Sequence, residues 1–319
     1  MSPQTPEHPT PPAGYLRDDP LAVSLRIGIV SLAVILLRLP SAAAGPVPLP
    51  SPAAPANAKV GTLVIVGGGR MTDLIRDRFL ALAGGKNARL VVIPTASTNA
   101  DYPERLRSLP YWKQYAGSVV LLHTRDRKQA NDPEFVKPLT RANAVWLTGG
   151  KQSKLVAAYH GTLVERELRN LLARGGVIGG SSAGAEVMGD LMIRSGKTVA
   201  TVGDGLGFVP GVVFDQHFMK RHRLPRLLGV LNNPQYRNHL GLGIDERTCV
   251  ILTGRNLTVL GESYVWVCVS GADKESQKLK TGEQADLSAL MKAVAARSRP
   301  SAQEKQKPPG PRGAAPLFP

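Results

Sequence analysis

Gly175-Gly176-Val177-Ile178-Gly179-Gly180-Ser181-Ser182-Ala183-Gly184-Ala185-Glu186-Val187-Met188 passes from a buried-strand pattern into a helix, with Ser182 at the turn. A serine on a sharp strand-to-helix turn is held in a strained conformation that lifts its hydroxyl clear of the sheet, as in the G-x-S-x-G elbow of nucleophilic serines. Such a turn needs small neighbours, because the helix and a substrate crowd it from both sides. Gly180, Ala183, Gly184 and Ala185 supply them. The same pattern also serves loops that hold a phosphate at a helix N-terminus or merely turn the chain, so the rest of the sequence must decide.

Outward from the turn, short apolar runs alternate with stretches of helical spacing. Residues 62–66 form an apolar strand ending in Gly67-Gly68-Gly69; residues 71–83 then carry Leu74, Ile75, Phe79 and Leu82 at helical intervals and stop at Gly84-Gly85. Residues 90–93, 119–122, 144–147 and 177–178 are further short strands, with helices such as 163–174 between them. This alternation predicts an α/β fold with a mostly parallel sheet sandwiched by helices. In such sheets the site gathers at the carboxyl ends of the strands, where Gly67 to Gly69, Gly149-Gly150 and the serine turn all fall. Residues 249–252, 257–260 and 264–269 read as three closing antiparallel strands separated by Gly254 and Gly261.

With 319 residues, 43% of them hydrophobic, the chain can bury one sizeable core. The expected organisation is a leader at 1–44, a Pro/Ala linker at 45–58, a domain at 59–272 and a basic, Pro-rich tail at 273–319. The tail is expected to be disordered, apart from a short amphipathic helix around Leu287, Leu290, Met291 and Val294. The apolar run at 27–37 is shorter than the about 20 residues that span a bilayer. Arg26 before it and Ala42-Ala43-Ala44 after it make a signal peptide cleaved near Ala44, which predicts a secreted or periplasmic protein with no stable membrane span after processing. Only Cys249 and Cys268 are present, so no disulfide framework holds the fold, and both read as buried thiols at opposite ends of one sheet.

The formal charge is +16, and residues 1–44 contribute nothing to it. Such a balance suits carboxylate-rich partners or nucleic acid. The charges are dispersed, however, and with 5% aromatic residues the chain offers no stacking surface, so no nucleic-acid partner is expected. There is no H-E-x-x-H, C-x-x-C or paired His/Asp spacing for a metal, and the 67–69 glycines fail the dinucleotide register at Thr72. Neither metal nor cofactor is expected.

A serine nucleophile needs a base. His8 lies in the leader, and His123 and His160 fall in loop or helix-surface contexts; His217 follows the apolar run 212–214 within Asp215-Gln216-His217-Phe218, at a strand end expected on the same sheet edge as Ser182. Beside it lies the basic cluster Lys220-Arg221-His222-Arg223-Leu224-Pro225-Arg226, and arginine forks pair bidentately with carboxylates. The amides of Ala183 and Gly150 are placed to form an oxyanion hole.

In chain order, Gly61-Thr62-Leu63-Val64-Ile65-Val66-Gly67-Gly68-Gly69, Ile93-Pro94-Thr95-Ala96-Ser97, Thr148-Gly149-Gly150 with Gln152, Gly180-Ser181-Ser182-Ala183-Gly184-Ala185, Asp215-Gln216-His217-Phe218 and Gly243-Ile244-Asp245-Glu246 resemble the cyanophycinases and their peptidase relatives over about residues 59–272. The resemblance implies a fold similar to class I glutamine amidotransferases. It also implies a serine exopeptidase that needs no cofactor, takes a peptide substrate and releases β-Asp-Arg dipeptides from cyanophycin, often as a homodimer. Ser182 matches the nucleophile and His217 the general base. Gln152, Asp215, Gln216, Arg221, Arg223 and Arg226 match pocket residues, Asp215 and the two glutamines expected to receive guanidinium groups and the arginines carboxylates.

Two positions depart from the pattern. A third catalytic residue, a glutamate, is expected between nucleophile and histidine, yet Arg194-Ser195-Gly196-Lys197-Thr198-Val199 carries no carboxylate and only Glu186, Asp190 and Asp204 lie between Ser182 and Asp215. Lys151 stands where an acidic residue is usual. The acid of the triad is therefore unassigned, which leaves a weakened or inactive homologue, or a related aspartyl dipeptidase, as the alternative. A lipase-type hydrolase is disfavoured by the lack of an HGG-type motif.

Overall fold

The computed structural model describes residues 60–271 and 276–297. The leader, the whole linker, residues 272–275 and residues 298–319 lie outside the described residues, as does the cleavage site near Ala44. The first half of the domain is the expected alternation: β1 (Thr62–Val66), α1 (Asp73–Leu82), β2 (Arg89–Ile93), α2 (Leu109–Tyr115), β3 (Ser118–Leu121), α3 (Pro133–Arg141), β4 (Ala144–Leu147), α4 (Gln152–Tyr159), α5 (Leu163–Ala173) and β5 (Val177–Ser181). The second half comprises α6 (Ala183–Glu186), β6 (Leu191–Ser195), β7 (Thr201–Asp204), β8 (Val212–Gln216), α7 (Leu224–Leu231), β9 (Leu240–Ile244), β10 (Thr248–Thr253), β11 (Asn256–Gly261), β12 (Tyr264–Cys268), β13 (Gln277–Lys280), β14 (Gln284–Asp286) and α8 (Leu287–Arg297).

The main sheet has the order β14-β11-β10-β1-β5-β4-β2-β3. Its strands β1 to β5 are mutually parallel, and β10, β11 and β14 close it antiparallel. All five residues of β1 are buried, and their alternation sorts them onto two faces. Leu63 and Ile65 join a core with Leu139, Leu155 and Leu168 from α3, α4 and α5, while Val64 and Val66 join Ile75 and Phe79 of α1 and Trp112 of α2. Helices on both faces are what hold a parallel sheet in water.

A second sheet, β13-β12-β9-β8, packs Phe214, Leu242 and Ile244 into the first of these cores, and β6 and β7 form a separate hairpin. The three-strand meander expected over 248–269 is therefore split. β10 and β11 pair in the main sheet, whereas β12 crosses to pair with β9. The two cysteines accordingly sit in different sheets, both buried and free, with burial pushing their thiols up to about 12 (Cys249) and about 11 (Cys268).

The expected domain end at 272 is also corrected. β13 pairs with β12, β14 with β11, and α8 follows with Val294 buried in the main core. Edge strands as short and polar as QKLK and QAD carry almost no apolar signal, and of β13 only Leu279 is buried.

The elbow strand owes its glycines to packing. A Cβ on Gly179 would lie 2.4 Å from Trp146 and 2.8 Å from Phe79, two rings of a buried aromatic cluster that also holds Trp112. Rigid rings leave no room for that carbon. Gly179→Ala should lower stability by about 1–3 kcal/mol, read as a fall in the denaturant midpoint; an unchanged midpoint would contradict this packing.

Candidate active site

Ser182 follows β5 at φ 54° and ψ −110° and caps the one-turn α6. Its amide donates to the Val66 carbonyl of β1 at 3.0 Å, and its own carbonyl accepts from Ala185 and Glu186. The crowding inferred from the sequence is present: a Cβ on Gly180 would lie 2.5 Å from the Gly184 carbonyl oxygen, and one on Gly184 2.2 Å from that of Leu147.

His217 follows β8, so base and nucleophile come from the ends of strands in different sheets rather than from one sheet edge. The His217 amide donates to the Gly67 carbonyl at 2.7 Å, which ties the end of β8 to the turn after β1. The imidazole lies against Gly68, where a Cβ would come within 2.4 Å of Cε1; this explains a glycine at that turn. Nε2 is 3.0 Å from the Ser182 hydroxyl.

Nδ1 of His217 is 2.6 Å from Oε1 of Glu246. The carboxylate is thus present, not between nucleophile and histidine as expected, but 29 residues after the histidine. β8 and β9 run parallel with Gln216 opposite Ile244, so the residues that follow each strand emerge side by side. The preceding Asp245 holds the next loop, its Oδ1 accepting from the Met219 and Lys220 amides and its Oδ2 from the Ser263 hydroxyl. Among the described residues the non-glycine residues at positive φ are Ser182, His217, His222 and Arg247, so two members of the constellation and the neighbour of the third are strained. Strain of this kind gathers at functional sites.

Burial holds His217 below the usual histidine value of 6.5; the Glu246 hydrogen bond opposes that effect, and Arg221 and Arg223 add to it. At neutral pH the ring is uncharged, with Nδ1–H donated to the carboxylate and Nε2 free to accept from Ser182. Gln216 Oε1, 3.3 Å from the same oxygen, is the alternative acceptor for its one proton.

An open cleft of about 510 Å³ lies over Ser182, lined also by Gly150, Gln216, Arg221, Arg223 and the hairpin residues Arg194 to Lys197. Ala183, the other expected oxyanion donor, is the first residue of α6 and is buried. Gln152 and Arg226 line the cleft as well, and of the expected pocket residues Asp215 alone is not among its lining. Asp215 is fully buried on the α7 side of β8, because the period of two that turns Gln216 towards Ser182 turns its neighbour away.

There Arg226 grips Asp215 bidentately, Nε to Oδ2 at 2.8 Å and Nη2 to Oδ1 at 2.5 Å, and Arg223 adds a contact at 3.3 Å. Asp215 is a buried counter-ion, not an acceptor for a substrate guanidinium. Gln152 spends its amide nitrogen on the Ile193 and Arg194 carbonyls, at 2.8 and 3.2 Å. Of the expected carboxylate-binding arginines only Arg221 is exposed, and Lys151 is exposed beside the cleft residues Gly150 and Gln152.

His123, expected on a surface, is tucked between Thr95 at 2.8 Å and Asp101 at 3.1 Å. Glu186 on the elbow helix is fully buried, and burial, then Asp215, hold it well above the ordinary carboxylate range. Among the described residues no group of three or more His, Cys, Asp or Glu side chains could hold a metal, and no helix is long and apolar enough to cross a membrane.

Residues 63–260 match peptidase family S51. The chain belongs to that family. It is a serine-type peptidase. It is 34% identical over 221 residues to a cyanophycinase of Synechococcus elongatus, 65% of this chain and 67% of that one. A cyanophycinase of Geminocystis herdmanii is 34% identical over 203 residues, 60% of this chain and 74% of its own length. Among solved structures, a peptidase from an acI-B1 actinobacterium shares the fold with a TM-score of 0.56 at 24% identity, over 71% of this chain and 97% of that one. Sequence reasoning had the glutamate in hand within Gly243-Ile244-Asp245-Glu246 but sought the acid on the wrong segment. It did not single out Arg194 or Lys197.

Glu246→Gln should lower kcat by about 10³–10⁴ with little change in KM, because the amide no longer holds the imidazole in its working tautomer. In the wild type, kcat/KM should rise with pH through an apparent pKa below 6.5; a limb above that value would contradict a neutral buried His217. Asp215→Ala strands two arginines in the cleft floor and should cost about 3–5 kcal/mol in chemical denaturation.

Proposed function

We propose that this S51 peptidase is a serine exopeptidase that hydrolyses cyanophycin, or a related β-aspartyl peptide, through an acyl-enzyme on Ser182. The observation that carries the proposal is the unbroken line from Ser182 Oγ to His217 Nε2 at 3.0 Å and from Nδ1 to Glu246 at 2.6 Å. The substrate class is taken from the cyanophycinases it resembles and from the cationic cleft.

Ser182 Oγ attacks the scissile carbonyl while His217 Nε2 takes its proton, and Glu246 stabilises the imidazolium that forms. The oxyanion is received by the amides of Gly150 and Ala183. Nε2 then returns the proton to the leaving amine, and the C–N bond breaks. Water, deprotonated by the same nitrogen, attacks the acyl-enzyme; the acyl–Oγ bond breaks, Nε2 returns the proton to Ser182 Oγ, and the acid product leaves as its carboxylate. No step needs a cofactor. The Glu246 carboxylate beside His217 supports the active enzyme over the alternative of a weakened or inactive homologue.

The signal-peptide pattern at 26–44 supports export as part of the proposal, which N-terminal sequencing of the mature chain would read. A homodimer is proposed by analogy and would be read by sedimentation.

Incubation with cyanophycin and with isoaspartyl dipeptides, followed by product identification, tests the whole reading. The wild type should release β-Asp-Arg dipeptides from the polymer and Ser182→Ala at least about 10³-fold less. Equal release by the two proteins would overturn it.

A further inference from the structure

We propose that the β6–β7 hairpin is the substrate-reading element of this peptidase, with Arg194 and Lys197 binding free carboxylates of the peptide next to the scissile bond. The inference rests on the β-aspartyl peptidase reading and names what its cleft recognises.

The hairpin is fastened at the cleft by side chains from three other elements. Gln152 of α4 donates to the Ile193 and Arg194 carbonyls at 2.8 and 3.2 Å. Arg226 of α7 donates to the Gly196 carbonyl at 2.5 Å, and the Ile193 amide donates to Glu186 of α6 at 3.2 Å. Two residues expected to touch substrate therefore hold the backbone of the segment that does. The positions they fix are those of Arg194, Ser195, Gly196 and Lys197, which line the same cleft as Ser182.

The charge of that wall decides the ligand. The lining residues include five cations, namely Arg194, Lys197, Arg221, Arg223 and Arg226, and no carboxylate. Arg223 and Arg226 share the one Asp215 carboxylate beneath them, so their pairing leaves no negative charge over for the cleft. Arg194, Lys197 and Arg221 are exposed, and among the described residues none has an ion-pair or hydrogen-bond partner for its side chain. A substrate guanidinium would meet like charge and no counter-ion. A carboxylate would meet unpaired cations on a fastened backbone, one of them able to bind it with two parallel N–H groups. The cleft thus reads the carboxylates of a β-aspartyl peptide and offers its guanidinium groups no anchor.

The test uses three synthetic trimers of β-Asp-Arg units: one with free arginine α-carboxylates, one with those carboxylates amidated, and one with citrulline in place of arginine. Arg194→Gln and Lys197→Gln should each raise KM for the free-carboxylate trimer about tenfold, with kcat within about threefold of wild type. On the amidated trimer wild type and variants should converge, and the citrulline trimer should keep its KM within about threefold.

Variants equal to wild type on the free-carboxylate trimer would overturn the inference. So would a loss of the same size on the amidated one, or a KM that rises tenfold with citrulline. Calorimetric binding of the three trimers to Ser182→Ala, with and without the two glutamine substitutions, reads the same preference without turnover. Carboxylate-dependent binding with no hydrolysis by the wild type would sink the peptidase reading alone; hydrolysis without that dependence would sink this inference alone.

Discussion

The site depends on a single backbone constraint, the turn that holds Ser182 at φ 54°. A serine does not adopt that conformation unaided, at a cost of about 1–3 kcal/mol. The cost is met by register: β5 lies between β1 and β4, its last residues pair with Val66 and Leu147, and the Ser182 amide is fastened to the Val66 carbonyl. The glycines before and after it allow the backbones of β5, α6 and β4 to approach more closely than any side chain would permit. Core packing thus fixes the direction of one hydroxyl.

The second sheet supplies everything else the hydroxyl needs. β8 and β9, running parallel, deliver His217 and Glu246 from adjacent strand ends, and the His217 amide ties that sheet to the Gly67 carbonyl of the first. Beneath the cleft, Asp215, Arg223 and Arg226 form a buried ionic group whose unused donors reach up to the Gln216 and Gly196 carbonyls. Such groups add little net stability compared with an apolar core. Here the group holds cleft-wall backbone in place and leaves the cleft's free charge positive.

Much of this was legible in the sequence, for reasons that differ by element. β1, β2 and β4 are nearly continuous apolar runs because the parallel sheet is covered on both faces, and that signal is local. The choice of β12 between two sheets is not local: its residues alternate as well for one partner as for the other, and only the fold assigns it to β9. β13 and β14 escaped because short polar edges carry no apolar period. At the site, Ser182 and His217 stood out as chemistry at strand ends. Glu246 needed the knowledge that β8 and β9 are neighbours, a pairing between segments 28 residues apart. Asp215 was misplaced because polarity alone does not tell which face of a strand a residue occupies.

The central claim is that Ser182 is a nucleophile made reactive by His217. Its most direct test is peptide mapping by mass spectrometry after reaction with a fluorophosphonate, which labels activated serines covalently. The account predicts a single adduct on Ser182, forming at least about 10³-fold more slowly in His217→Ala. An adduct on another serine, or undiminished labelling in His217→Ala, would contradict it.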